Sequence, residues 1–385
     1  MNRWRAAVVG LLLLLLAVSA PPVQAGGTLR CQGRDVTIFG TNGSETIEGT
    51  NADDVIHGRG GVDRIEAEQG DDVICTGEGG GEVLAGQGDD QIRGGLDGDV
   101  IFAGGGQDRV VTRGGDDALL TGPGRDLLLG GVGDDELQGG RAADRMFGRT
   151  GNDRLQSSGG AEAYFGTDSA DDLMDGGRGR DTFENFNTRR GTDIPTRKVD
   201  LAAGISTIEG RDQLRSIENV EVLDKQVIVR GNALANYLLA YYGTIYGGRG
   251  PDLIGNGKKV HAGRGKDHVY GADWANLGPG DDRFQGEEGG GGRHEVYGRR
   301  GADVILGANG FGEWPPNDPG SADLLYGGPG ADRLKGFQGA DRLFGGPNND
   351  VLLGGSGLDR ADGGRAADVC RAELEIDCER DPRSP

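Results

Sequence analysis

The sequence predicts an all-β protein: a parallel β-roll (a β-helix or solenoid) of short stacked coils, in two arrays with a β insertion. Three observations predict it. An apolar residue recurs every nine positions, an Asp stands two residues ahead of most of these, and glycines fill the positions before the Asp. Gly is 78 of 385 residues and aromatics only 5%, a composition that by itself signals disorder. Glycine at a fixed period signals a repeat instead.

Residues 1–25 are read first and set apart. Arg3 and Arg5 precede an apolar run, Ala6 to Ala17, and Val23-Gln24-Ala25 offers small residues where a signal peptidase reads. The run is shorter than the ~18 residues of a membrane-spanning helix, and no Cys follows to take a lipid. The expectation is a signal peptide cleaved near Ala25, no membrane span, and a secreted, extracellular product.

The first array, with its N-terminal cap, is assigned to residues 26–183. Every ninth residue from Ile47 is apolar: Ile56, Ile65, Ile74, Val83, Ile92, Ile101, Val110, Leu119, Leu128, Leu137, Met146, Leu155 and Tyr164. Two residues ahead of most of them stand Asp54, Asp63, Asp72, Asp90, Asp99, Asp108, Asp117, Asp126, Asp135, Asp144 and Asp153. After a one-residue slip Asp172 and Asp181 continue the series. The unit is G-G-x-G-x-D-x-U-x, with U apolar, as in Gly130-Gly131-Val132-Gly133-Asp134-Asp135. Its x-U-x part is a very short strand with one inward side chain, and its glycines turn the chain. Two units make an 18-residue coil, and coils stack about 4.8 Å apart as two parallel sheets.

A core of one apolar residue per half-coil is too thin to offset the entropy of ordering so much glycine. The net charge of −21 points the same way, because dense carboxylates repel one another unless cations neutralise them. That charge also excludes nucleic acid as a partner. A hard cation takes six to eight oxygens, which loop carbonyls and an Asp carboxylate supply, so multiple Ca2+ ions are the expected ligands. Loops alternate between the two edges of the roll. Asp54, Asp72, Asp90, Asp108, Asp126 and Asp144 should therefore line one edge, and Asp63, Asp99, Asp117, Asp135 and Asp153 the other. Gly81 and Glu162 stand where Asp is expected, and Arg141 and Arg365 lie inside loops, which should weaken calcium there.

Residues 184–230 lose the nonapeptide and read as a β insertion or linker. The second array, 231–370, opens with Asp252, Asp267 and Asp282 spaced by 15, and with Ile245, Ile254, Val260, Val269, Ala275 and Phe284 alternating by nine and six. A 15-residue coil has one long loop and one short turn, so only one edge should hold calcium there. Asp303 follows, and the nine-residue step returns with Asp323, Asp332, Asp341, Asp350, Asp359 and Asp368. Trp314, nine after Ile305, should fill the core. Residues 371–385 form a C-terminal cap and tail. Four cysteines allow three pairings. Cys31–Cys75 with Cys370–Cys378 is favoured because it staples each end, and closing the 44-residue span is worth about 4 kcal/mol.

Over most of residues 40–183 and 231–370 the chain resembles the secreted bacterial repeats-in-toxin, or haemolysin-type, calcium-binding proteins. The opening segment, with Thr46-Ile47-Glu48-Gly49-Thr50 and Asp72-Val73-Ile74-Cys75, is similar to the start of stand-alone members. The resemblance implies disorder at low calcium and folding into a β-roll outside the cell. It also has a departure: such repeats are normally appended to an effector domain, and none is visible here.

The four histidines, His57, His261, His268 and His294, belong to no HExxH motif, no G-x-S-x-G elbow occurs, and no phosphate loop follows the glycine runs. The chain is expected not to be an enzyme. The leading reading is a calcium-binding structural or surface protein whose folding is coupled to calcium. The alternatives are an adhesion or matrix module holding an unidentified protein or glycan partner, and a cryptic hydrolase using residues 184–245.

Overall fold

A computed structural model describes residues 29–157, 170–186, 197–208, 210–223, 226–286, 292–308 and 322–378. The expected signal peptide, Glu162, Tyr164 and Trp314 lie outside the described residues. Within them every regular element is a strand. Alternate strands feed two parallel sheets, because each glycine loop turns the chain from one sheet to the other.

One ladder begins with Thr46–Thr50, Asp63–Glu68 and Gly81–Gln87 and ends with Val351–Ser356 and Val369–Arg371. The other begins with Ile38–Phe39, Val55–His57 and Val73–Cys75 and ends with Arg360–Arg365 and Leu374–Ile376. The register is the one the nine-residue step demands. Ile47, Ile65, Val83, Ile101, Leu119, Leu137 and Leu155 pair in sequence on one sheet. Ile56, Ile74, Ile92, Val110, Leu128 and Met146 pair on the other. All of them are buried in one continuous core between the sheets.

The nine-residue rhythm breaks over 184–230, but the ladders do not. On one sheet Phe183 pairs with Val220 and Val220 with Leu238. On the other, Met174 pairs with Leu214, the chain makes two antiparallel steps through Ile205–Ser206, and Val199 then pairs with Val229. What the sequence reads as two rolls is therefore one stack of about 16 turns. The reason is burial: Val199, Leu214, Val220 and Val229 take inward positions in the common core, so sheet pairing continues where the repeat lapses.

The 15-residue coils behave as their spacing requires. Ile245, Val260 and Ala275 pair on one sheet, Ile254, Val269 and Phe284 on the other, and all are fully buried. Along their outer face runs a ring ladder that continues into the coils after them. Tyr246, His261, Trp274, Tyr297, Tyr326 and Phe344 follow one another at 4.8, 4.9, 5.9, 4.8 and 4.8 Å between centroids. Such contacts add stabilisation beyond buried area, and Lys259 lies 4.7 Å over Trp274.

Both ends of the stack are closed, which matters because an open sheet end exposes unpaired backbone. Arg30–Cys31 and Arg34–Asp35 form a small antiparallel pair at the first end. Cys31 is bonded to Cys75 and packs with Val36, Val55 and Val73. At the other end Cys370, paired with Leu352, is bonded to Cys378. These are the two disulfides favoured from the sequence.

Candidate metal centres along the two loop edges

Each loop closes on an Asp two residues before an inward side chain, so these Asp residues stack into columns. The backbone N–H of each donates to Oδ1 of the Asp one coil later. One column runs Asp54, Asp72, Asp90, Asp108, Asp126, Asp144, Asp172, with bonds of 2.8 to 2.9 Å. The opposite column holds Asp63, whose Oδ1 accepts from the Glu45 N–H, and Asp99, Asp117, Asp135, Asp153 and Asp181. It continues through Asn236 into Asp252, Asp267, Asp282, Asp303, Asp332, Asp350 and Asp368. Beyond the one-sided coils the first edge resumes with His294, Asp323, Asp341 and Asp359. All 23 aspartates that the sequence places in the repeat phase are buried.

The second carboxylate oxygen is differently placed. Oδ2 of Asp63, Asp72, Asp90, Asp108, Asp135, Asp153, Asp181, Asp252, Asp267, Asp282, Asp303, Asp332, Asp341, Asp350 and Asp359 is buried with no hydrogen-bond partner. Burial first, and neighbouring carboxylates after it, push Asp90, Asp108, Asp135, Asp282 and Asp303 up to about 7. Asp72, Asp153 and Asp181 rise to about 6. The N–H bond to Oδ1 offsets only part of this. A buried, half-satisfied carboxylate of this kind is costly. It needs a proton or a cation.

The surroundings suit a hard cation. Oδ2 faces the first glycine of its own loop, beside a carbonyl of the next coil. A Cβ on Gly345 would lie 2.5 Å from Asp350 Oδ2 and 2.7 Å from the Gly363 carbonyl oxygen. A Cβ on Gly327 or Gly336 would collide with the equivalent pair of oxygens, so glycine there keeps both open to a ligand. No group of three or more His, Cys, Asp or Glu side chains gathers among the described residues. Each centre therefore offers one carboxylate per coil plus backbone carbonyls, an all-oxygen set that suits calcium and not a thiophilic metal.

Three of the expected ligands are set apart. Asp54 Oδ2 accepts from the N–H and hydroxyl of Thr50, Asp99 Oδ2 from the Gly95 N–H, and Asp323 Oδ2 from the Ala308 N–H, at 2.8 to 2.9 Å. The cause is the second loop residue. In open loops it has a positive φ, as in Gly104 (107°), Gly263 (115°) and even Arg299 (85°) and Phe337 (77°), which turns its N–H away from the Asp. Thr50, Gly95 and Ala308 are not among the positive-φ residues, so their N–H caps the loop's own carboxylate.

Several column members escaped the sequence reading. Asp212 Oδ1 accepts from Asp172 N–H at 3.3 Å, although 40 residues separate them; the pattern Gly210-Arg211-Asp212-Gln213-Leu214 is a short form of the repeat that could have revealed it. Asp368, which the nine-residue step does place, closes its column, and its Oδ2 is also without a partner. Glu218 and Glu373 accept from Asp181 and Asp359 N–H groups where nonapeptide phasing stops. Position five carries an outer ladder, in which Asp53 and Asp71 accept from the N–H groups of Asp71 and Asp89.

The family model of the RTX calcium-binding nonapeptide repeat (4 copies) matches residues 39–74, 84–119, 120–161, 167–183, 320–352, 336–370 and 344–377. The chain is an RTX-type calcium-binding repeat protein. Repeats of this family bind calcium. The RTX matches fall mainly on the 18-residue coils. They omit the insertion and the 15-residue coils, which share the stack but not its period. No curated protein matches the chain.

Proposed function

We propose that this chain is an extracellular structural or surface-associated protein that binds roughly one calcium ion per open loop and folds as it does so. The observation that carries this is the pair of buried Asp columns with Oδ1 bonded and Oδ2 unpaired. Calcium would be held by those aspartates and the first-glycine carbonyls, and it would supply the charge compensation that lets the columns ionise without unfolding the stack. The leader-like residues 1–25 and the two disulfides support an oxidising, calcium-rich setting outside the cell. Sites of extracellular modules lie near ~0.1–1 mM. Each ion then adds only about 1.4 kcal/mol at tenfold saturation, so many must act together and folding should be steep in calcium.

A non-catalytic role accompanies this reading, since most of the buried carboxylates are spent on the columns. The adhesion alternative has less support. It would use an open aromatic face, and the rings from Tyr246 to Phe344 largely cover one another. Equilibrium dialysis against calcium at neutral pH tests the proposal. Uptake close to the number of open loops is expected; one ion or none would overturn it.

A further inference from the structure

One pair of loops on the Asp63 edge differs from the others. Loop 76–81 ends in Gly81 where an Asp belongs, and the Gly81 N–H donates to Asp99 Oδ1 at 2.9 Å. In loop 94–99, Asp99 Oδ2 already accepts from the Gly95 N–H at 2.8 Å. Neither loop presents an open carboxylate oxygen. Backbone oxygens gather there nonetheless: a Cβ on Gly95 would lie 2.8 Å from the Gly79 carbonyl oxygen, 2.9 Å from that of Gly77 and 3.3 Å from that of Glu78.

The guanidinium of Arg113, one coil on, reaches this place. Its Nε donates to the Gly94 carbonyl and its Nη2 to the Gly77 carbonyl, both at 3.4 Å. Nη2 also lies 3.6 Å from Glu78 Oε1. Together these groups border a cavity of about 140 Å³. Arg113 occupies the second loop position, which in the next coil is Gly131. A guanidinium is a permanent cation with five donors and no acceptor. It satisfies carbonyls that elsewhere would face an ion, and Glu78 supplies the negative charge that Gly81 cannot.

We propose that the Arg113 guanidinium is the resident cation of loops 76–81 and 94–99, so that these loops take no calcium and stay ordered without it. The inference rests on the calcium reading only in its contrast with the other loops. Cys75, bonded to Cys31, immediately precedes Thr76, so a covalent tie and a tethered cation meet in the same coils. On this edge the stretch is then a calcium-independent seed on which the calcium-dependent coils stack.

Hydrogen exchange at neutral pH in chelator, with calcium stoichiometry as a second readout, tests this on the full chain. Peptides covering loops 76–81 and 94–99 of the unaltered protein should exchange alike with and without calcium. In Arg113→Ala they should exchange at least tenfold faster in chelator, and Arg113→Lys should restore part of the protection. The pair Gly81→Asp with Arg113→Gly should bind one calcium more than the unaltered protein. Equal exchange in Arg113→Ala and the unaltered chain, or no added ion in the double variant, overturns the proposal. If the whole protein bound no calcium, the calcium reading would fail, whereas faster exchange in Arg113→Ala would still uphold the guanidinium's role.

Discussion

Asp108→Asn should move stability in opposite directions with and without calcium. Asp108 is buried in mid-column: its Oδ1 accepts from the Asp90 N–H at 2.9 Å, its own N–H donates to Asp126, and its Oδ2 is unpaired. An Asn keeps the Oδ1 bond. Its amide can also reach a neighbouring carbonyl, as Asn236 does when Nδ2 donates to the Glu218 carbonyl at 2.7 Å. Without calcium the variant gains about 1 kcal/mol for that bond. It also loses repulsion from the next carboxylate, about 1 kcal/mol in water-like surroundings and about 3.5 kcal/mol at an effective dielectric of 20, for charges one coil apart. For an ionised column a net stabilisation of about 2–4 kcal/mol is expected. With calcium, a ligand is lost, at about 1.4 kcal/mol for each ion forfeited at tenfold saturation. Circular dichroism in chelator, followed as pH rises, should place unfolding at higher pH for the variant. The same signal in a calcium titration should place folding at higher calcium. Shifts of the same sign, or none in either series, would refute the carboxylate-column account.

Other expectations follow from the same geometry. Gly327→Ala places a Cβ against Asp332 Oδ2 and the Gly345 carbonyl; calcium stoichiometry should fall, by dialysis, with little change in calcium-free exchange. Leu128→Ala removes a fully buried side chain from the core and should cost about 2–5 kcal/mol in calcium-saturated thermal unfolding. The pH dependence should also reverse with calcium. Carboxyls raised from 3.8 to about 6 or 7 in the metal-free fold hold protons that the unfolded chain releases. Calcium-free stability should thus be greatest below about pH 4 and be lost as pH climbs through 6 and 7. With calcium the ionised form is the ligand, so stability should be lost as pH falls through that range. Thermal scans across pH, with and without chelator, check both signs.

The core was legible because its signal is purely periodic: from Ile47 to Leu155 the spacing alone places each side chain between the sheets. The columns were legible for the same reason, since a fixed offset from the inward residue sets each Asp. Legibility failed where local backbone geometry decides. Asp54 and Asp99 have the right phase, yet a second-position N–H caps them, and φ at Thr50 or Gly95 is not written in the repeat. Asp212 lies in the ladder because sheet pairing, not chain distance, sets its neighbour Asp172. The break at 184–230 suggested two rolls for a like reason. Val199 and Val220 keep the sheets continuous through burial that no period announces.

Titrating calcium into chelated protein at neutral pH, with circular dichroism as the readout, tests the central claim most directly. A steep, cooperative gain of β signal is predicted, rising from the small residue that the Arg113 coils retain. A full β spectrum in excess chelator, unchanged by calcium, would contradict it.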